Sequence, residues 1–298
     1  MKITLTGASG FVGSHLVRKL LARGHEIHVL GRKRAADLPV EVTFSEWSAE
    51  TEPPAASFAG AGAVIHLAGE PVAQRWTAQV KARIRDSRVE GTRLLVNALR
   101  HTVPQPPVLI SASAIGLYGS RGDEPLTETS AAGQGFLADV VRYWEMAARA
   151  AESAGIRVVL PRFGVVLGKG GALDKMLPPF RLGVGGRIGS GRQWMSWIHL
   201  EDALGIILFA LENENVVGPV NATSSNPVTN AEFTRELAQT LHRPAVLPIP
   251  ELALKLLFGE MAGMLLASQR VLPRAAKAAG FQFRYPDLRS ALAEILKA

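Results

Sequence analysis

The segment MKITLTGASGFVGSHLVRKLLARGHEIHVLGRKR (residues 1–34) decides the fold. "KITLTG" (2–7) is an apolar, strand-like run, and "EIHVLG" (26–31) is a second. Between them, helical spacing of apolar residues predicts a helix over 11–23. Gly7, Gly10 and Gly13 fall directly after the first strand and at the entry of that helix. Glycines so placed permit a tight turn, a close approach of bare backbone to a pyrophosphate and close packing of helix on strand, while the helix N-terminus attracts the anion. Strand, turn and helix agree, so the segment predicts the first βαβ unit of a dinucleotide-binding fold.

The end of the second strand bears on which dinucleotide. An acidic residue there would read the ribose 2′-hydroxyl of NAD. This chain has Gly31 in that place, followed by Arg32, Lys33 and Arg34. A guanidinium holds a 2′-phosphate through charge-assisted hydrogen bonds, whereas a carboxylate would repel it. The expectation is NADP(H), read by Arg32, with Lys33 and Arg34 as solvated loop charges.

Further along, "AVIHLAG" (63–69), "VLISASA" (108–114) and "RVVLPRFGVVLG" (157–168) read as strands, with helical segments over 77–100 and 136–154. Alternation of this kind predicts a parallel sheet, and nearly continuous apolar strands predict helices on both faces. The fold class expected is therefore α/β, a Rossmann-type doubly wound parallel sheet with a smaller C-terminal lobe. Residues 1–168 form the expected NADP-binding domain, with room for later elements to return to its sheet, and 169–298 the substrate-side lobe. From about 170 the texture turns to Gly/Pro-rich loops, then to helices with short strands. Thr229 and Glu232 make a capping box that starts a helix running to about 241.

Composition excludes several classes. The chain has 298 residues, 47% of them apolar, enough to bury a substantial core. It has no cysteine, which removes disulfides and thiolate metal sites and fits a reducing compartment. The net charge of +7 favours anionic ligands, but the basic residues are scattered, and no nucleic-acid partner is expected. The histidines, His25 and His28 included, lack metal-site spacing, and His66 reads as a packed strand residue. The apolar tract 252–267 is interrupted by Lys255 and Glu260 and is too short to span a membrane; a buried or amphipathic helix is expected. With no export signal read at the N-terminus, the expected location is the cytoplasm. Sequence alone leaves the oligomeric state open.

The spacing Gly-x-x-Gly-x-x-Gly after Thr6 resembles the short-chain dehydrogenase/reductase superfamily, particularly its extended and atypical branches. Longer stretches narrow this: "LAGEPVAQRWT" (67–77), "SRVEGTRLL" (87–95), "SASAIGLYG" (111–119), 162–202 and "QRVLPRAAKAAGFQFRYPDLRSAL" (269–292). Together they resemble the bacterial epimerase-family proteins related to YfcH, whose vertebrate relatives are classed as atypical short-chain dehydrogenases. The likeness includes that family's DUF1731-type C-terminal segment, here about 247–296. It implies NADP contacts at Gly7, Gly10, Phe11, Val12 and Gly13, at Gly31 and Arg32, at Leu67 and Ala68, at Arg83 and Arg88, and at Val166.

The same resemblance raises a difficulty. Short-chain reductases use a tyrosine to move the proton, with a lysine one helical turn on lowering its pKa. Here the residues four places after Tyr118, Tyr143 and Tyr285 are Gly122, Ala147 and Arg289. Aligned on Glu145, the pair's positions hold Leu137 and Val141; aligned on "LYG", the usual serine's position holds Ala114, with Ser113 beside it. Two readings stand. The chain is an NADP-dependent oxidoreductase or epimerase whose acid is Ser113, Tyr118 or a residue of the C-terminal lobe, or it is a non-catalytic NADP(H)-binding sensor or regulator. Extended enzymes acting on nucleotide sugars carry an arginine where this chain has Met195, with Arg192 nearby. That argues against a diphosphate-sugar. "MLPPFRLG" (176–183), Trp194 and Trp197 are expected either to line an apolar cleft for a small-molecule substrate or simply to pack the lobe interface.

Overall fold

The structure, a computed structural model, describes residues 1–297. Seven strands make the main sheet: β1 (Lys2–Thr6), β2 (Glu26–Gly31), β3 (Thr43–Glu46), β4 (Ala61–His66), β5 (Val108–Ser111), β6 (Arg157–Phe163) and β7 (Gly218–Ala222). A short extension, Ser113–Ala114, also pairs with β6. The order is β7-β6-β5-β4-β1-β2-β3 and every pairing is parallel. The chain leaves β1 toward β2 on one side and later returns to β4 on the other. The C-terminal ends of β1 and β4 therefore border the crevice where a doubly wound sheet binds its ligand.

Helices cover both faces, as the apolar strands require. On one face α1 (Phe11–Ala22) and α5 (Leu200–Glu212) bury Leu16, Leu20, Ile206 and Ile207 against β1 and its neighbours. On the other, α2 (Ala78–Arg100) and α3 (Phe136–Arg149) bury Leu95, Leu99 and Ala148 against β4 and β5. Thr77 starts α2 by accepting a hydrogen bond from Val80 N at 3.2 Å.

Three features differ from the sequence-based expectations. β3 and β7 do not stand out as apolar runs; that β7 carries residues beyond 168 into the main sheet is a return for which the sequence leaves room. Within the segment expected as loops, Ala172–Arg181 forms a helix, α4, with Pro178 and Pro179 inside it. Burial of Leu173, Leu177 and Phe180 on its inner face offsets the missing amide donors. The 252–267 tract is not one helix. It runs as α7 (Glu251–Phe258), turns at Gly259 with φ +59°, and resumes at Ala262–Leu266, leaving Leu252, Leu256 and Leu257 exposed.

Beside the sheet, α4, the helix α6 (Asn230–Thr240) and Leu288–Ile295 enclose a second core around Trp197. The expected capping box is present, with Glu232 N donating to Thr229 Oγ1 at 3.2 Å and Thr229 N donating to Glu232 Oε2 at 2.7 Å. No helix of the described residues is long and apolar enough to cross a membrane.

Candidate functional site

The crevice is built from the ends of β1, β2 and β4. Gly7, at φ +76°, lies against the backbone of Leu67 and Ala68, so close that a Cβ there would come 2.6 Å from Leu67 C. Gly13 faces Gly7 across the turn, where a Cβ would stand 2.1 Å from the Gly7 carbonyl oxygen. Phe11 and Val12 enter α1 half-buried. The Phe11 ring fits under the glycines at 168, 170 and 171. Val166 precedes those glycines on a short strand, Val165–Leu167, that pairs in parallel with Trp197–His199 outside the main sheet.

Thr6 and His66 tie β1 to β4. Thr6 Oγ1 accepts hydrogen bonds from Leu67 N and Ala68 N, each at 3.2 Å, and lies 2.7 Å from His66 Nδ1. With its lone pairs engaged by amides, the Thr6 hydroxyl gives its hydrogen to His66 Nδ1. His66 Nε2 then carries the ring hydrogen and donates to Thr92 Oγ1 at 3.0 Å. The ring is neutral in this arrangement, and burial, aided by the charge of Arg88, pushes its pKa down to about 4.

That shift predicts a pH dependence. Above pH 6.5 the ring is neutral in native and unfolded chains alike. Between 6.5 and 4 the unfolded chain binds a proton that the native state refuses, so native stability falls; below 4 both are protonated and the loss levels off. The drop amounts to about 3 kcal/mol. Denaturant unfolding of the wild type and His66→Gln across this range should show the wild type with the steeper acid limb; parallel curves would contradict it.

Charge is distributed unevenly around the crevice. Arg32 is exposed at the end of β2, and among the described residues its guanidinium donates to no protein acceptor. Arg34, two residues on, is committed to its own loop, donating to Val42 O at 2.8 Å and Pro39 O at 3.0 Å. Glu70, beyond β4, accepts from Gln74 at 3.1 Å and from Arg83 at 3.4 Å. Its pKa is lowered first by the Gln74 hydrogen bond and then, despite partial burial, by Arg83 and Arg32. Arg83 is thereby an exposed partner of Glu70 on the surface of α2.

Arg88 is half-buried and, among the described residues, makes no salt bridge. It donates to Glu70 O at 2.9 Å and Ile84 O at 3.2 Å, and its guanidinium lies between the Gly69 backbone and the Trp144 ring, 5.2 Å from the ring centroid. Burial pushes its pKa down to about 10.

Toward β5 and β6 the side chains form a closed network. Ser113 Oγ donates to Glu145 Oε1 at 2.5 Å. Arg162 grips the same carboxylate with Nε and a terminal nitrogen, both at 2.8 Å. Its other terminal nitrogen donates to Tyr118 Oη at 2.8 Å, and Tyr118 in turn donates to Asn221 Oδ1 at 2.7 Å. Burial raises the Tyr118 pKa despite the nearby Arg162. Burial also opposes the charge on Arg162, but the Glu145 hydrogen bonds and carboxylate charge raise its pKa overall. Tyr118 has no exposed surface and Ser113 almost none. Both catalytic candidates are therefore placed inside the protein with their hydrogens already given to Asn221 and Glu145. Leu137 and Val141 are packed near Gly116, Val141 being buried, and supply only hydrocarbon.

On the substrate side the packing alternative holds for Trp197, Leu177 and Phe180. Trp197 is fully buried, with Nε1 donating to Asn226 O at 3.1 Å, and Leu177 and Phe180 point into the lobe core. The 3.6-residue pattern of α4 turns those side chains inward. Trp194 remains half-buried, with Arg270 over its ring at 4.6 Å. Arg270 Nε is buried without a hydrogen-bond partner. Trp76 meets Phe136 edge-on at 5.3 Å where Lys81 reaches Glu260 at 2.8 Å. Among the described residues no group of three or more potential ligands could hold a metal ion.

The model of the NAD dependent epimerase/dehydratase family matches residues 3–222, and that of a domain of unknown function (DUF1731) matches 249–295. Epimerase family protein YfhF of Bacillus subtilis (strain 168) is 39% identical over 99% of this chain and 98% of its own. The epimerase family protein SDR39U1 homolog, chloroplastic, of Arabidopsis thaliana is 41% identical over 100% of this chain and 87% of its own. Among solved structures, human epimerase family protein SDR39U1 (isoform2) with NADPH superposes with a TM-score of 0.89 at 36% identity, covering 99% of both chains. A nucleoside-diphosphate sugar epimerase from Corynebacterium glutamicum gives 0.80 at 37% identity over 99% of this chain and 58% of that one.

Proposed function

The chain belongs to the NAD dependent epimerase/dehydratase family, and on that premise we propose that it binds NADP(H) across the β1/β4 crevice and acts as an oxidoreductase or epimerase on a small molecule. Bound NADPH supplies the hydride. The chain's own residues hold the coenzyme: the backbone at Gly7, Gly10, Phe11, Val12 and Gly13 takes the pyrophosphate, Gly31 gives passage to the adenosine, and Arg32 pairs with the 2′-phosphate. Leu67 and Ala68 offer bare backbone opposite, Arg88 contributes half-buried positive charge, and Val166 closes the nicotinamide end. Arg83 serves through Glu70. The substrate lies between the sheet edge and the C-terminal lobe, near Trp76, Phe136 and Arg270.

The observation that carries the coenzyme assignment is the uncommitted Arg32 guanidinium beside the glycine turn, with the acid of NAD-type sites replaced by Gly31. It fits the NADPH of the human relative. Arg32→Glu should weaken NADPH binding about ten- to a hundredfold, as expected for loss of charge-assisted hydrogen bonds to a phosphate, and should leave NADH binding less affected. Fluorescence titration with both coenzymes checks this. Equal loss for the two would remove Arg32 from the 2′-phosphate.

A second reading, a sensor or regulator that binds NADP(H) without turnover, is favoured by the closed Ser113–Glu145–Arg162–Tyr118 network. Neither hydroxyl has a free hydrogen for a substrate. Consumption of NADPH with any member of a carbonyl and sugar panel, lost in Arg32→Glu, selects the enzyme; binding with no consumption selects the sensor.

A further inference from the structure

A cleft of about 640 Å³ opens in the C-terminal lobe, sharing no residue with the coenzyme crevice. That volume lies in the range of small-molecule sites. Three arginines line it, Arg187, Arg235 and Arg243, and no carboxylate does. We propose that this cleft is a second binding site, for a phosphate-bearing small molecule with an apolar portion.

The charge inside the cleft is poorly neutralised from within the protein. Arg243 donates no side-chain hydrogen bond to the protein among the described residues. Arg187 makes one, to Ser190 O at 3.2 Å. Arg235 reaches only Glu236, at 3.4 Å, and that carboxylate is shared with Arg289 at 3.0 Å. Three guanidinium groups facing one concavity repel one another, and a multiply charged anion relieves the repulsion while using the planar donor fork of arginine.

Two local features support a built site. Thr234 lines the cleft, 5% exposed as a whole residue, and among the described residues its hydroxyl makes no hydrogen bond to the protein and stays in contact with solvent at the cleft wall. A helical threonine ordinarily returns such a hydroxyl to its own backbone; here it faces the cleft, where a bound anion would replace water. The chain also turns sharply at the end of α6. His242 takes φ 53°, letting Arg243 N return to Ala238 O at 3.0 Å, which holds Arg243 beside the helix face carrying Thr234 and Ala238. A left-handed histidine stands where glycine is the usual residue, and it keeps a donor-bearing side chain in the lining. Ala231, Ala238 and Val246 form the apolar wall.

Calorimetric titration of the full chain, saturated with NADPH, tests the site with ADP, inorganic pyrophosphate and adenosine as probes. ADP and pyrophosphate should bind at one site each while adenosine does not. Arg235→Ala/Arg243→Ala should lose about tenfold or more in ADP affinity, and Thr234→Val a smaller factor, with NADPH affinity and thermal midpoint unchanged. Absence of ADP binding, undiminished binding in the double variant, adenosine binding as well as ADP, or displacement of NADPH by ADP would each overturn the proposal.

Discussion

Gly7→Ala is expected to lower NADPH affinity by about a hundredfold or more and to destabilise the protein by about 3 kcal/mol. Two costs combine. The residue sits at φ +76°, where a Cβ is unfavourable, and the added atom would come 2.6 Å from Leu67 C and 2.8 Å from Ala68 N. Those are backbone atoms, so the end of β4 must move away from β1 for alanine to enter. Its movement would pull Leu67 N and Ala68 N from Thr6 Oγ1 and open the crevice that the coenzyme spans. Gly10→Ala is the matched control. Gly10 has φ −78° and its Cβ would meet no protein atom nearer than Gly7 O at 3.2 Å, so stability should change by well under half as much, while a Cβ on the backbone that takes the pyrophosphate still weakens NADPH binding. Unfolding curves of both variants would refute the ranking if Gly10→Ala proved the more destabilising, and titration with NADPH would refute the Gly7 prediction if Gly7→Ala bound as the wild type does.

This ranking was not legible in the glycine triplet, which presents three equivalent letters. The sheet was legible because strands covered on both faces write themselves as continuous apolar runs, and β1, β2, β4, β5 and β6 all do so. β3 escaped because "TFSE" is short and lies at the sheet edge, half in solvent, and β7 because "GPVNA" is marked by a glycine and a proline that read as a turn. Arg32 stood out by replacing an expected acid. Its separation from Arg34 required coordinates, since only the folded loop brings Val42 O and Pro39 O to the second arginine. The buried network around Glu145 joins residues more than a hundred positions apart, such as Tyr118 and Asn221, and no local pattern records that. One signal did exist. Arg162 interrupts the apolar run of β6, and a charge in the middle of a covered strand must find a partner inside the protein.

That partner makes Arg162→Met the substitution with the greatest expected effect on stability, a loss of about 3–5 kcal/mol. Removing the guanidinium leaves the buried Glu145 carboxylate with only the Ser113 hydroxyl, and it takes from Tyr118 Oη the donor that fixes its direction toward Asn221. Asn221 in turn holds Leu272 O at 3.0 Å, so the disturbance passes from β6 through β7 into the C-terminal segment. Glu145→Leu alone should also destabilise, leaving Arg162 with Tyr118 Oη and Glu128 O at 3.1 Å but no opposite charge. The double variant Arg162→Met/Glu145→Leu should recover much of either loss, because no uncompensated charge then remains buried. Urea unfolding of the three variants gives the coupling directly. If the single losses simply added in the double variant, Glu145 and Arg162 would be independent, and the network could not be what holds Ser113 and Tyr118 away from a substrate.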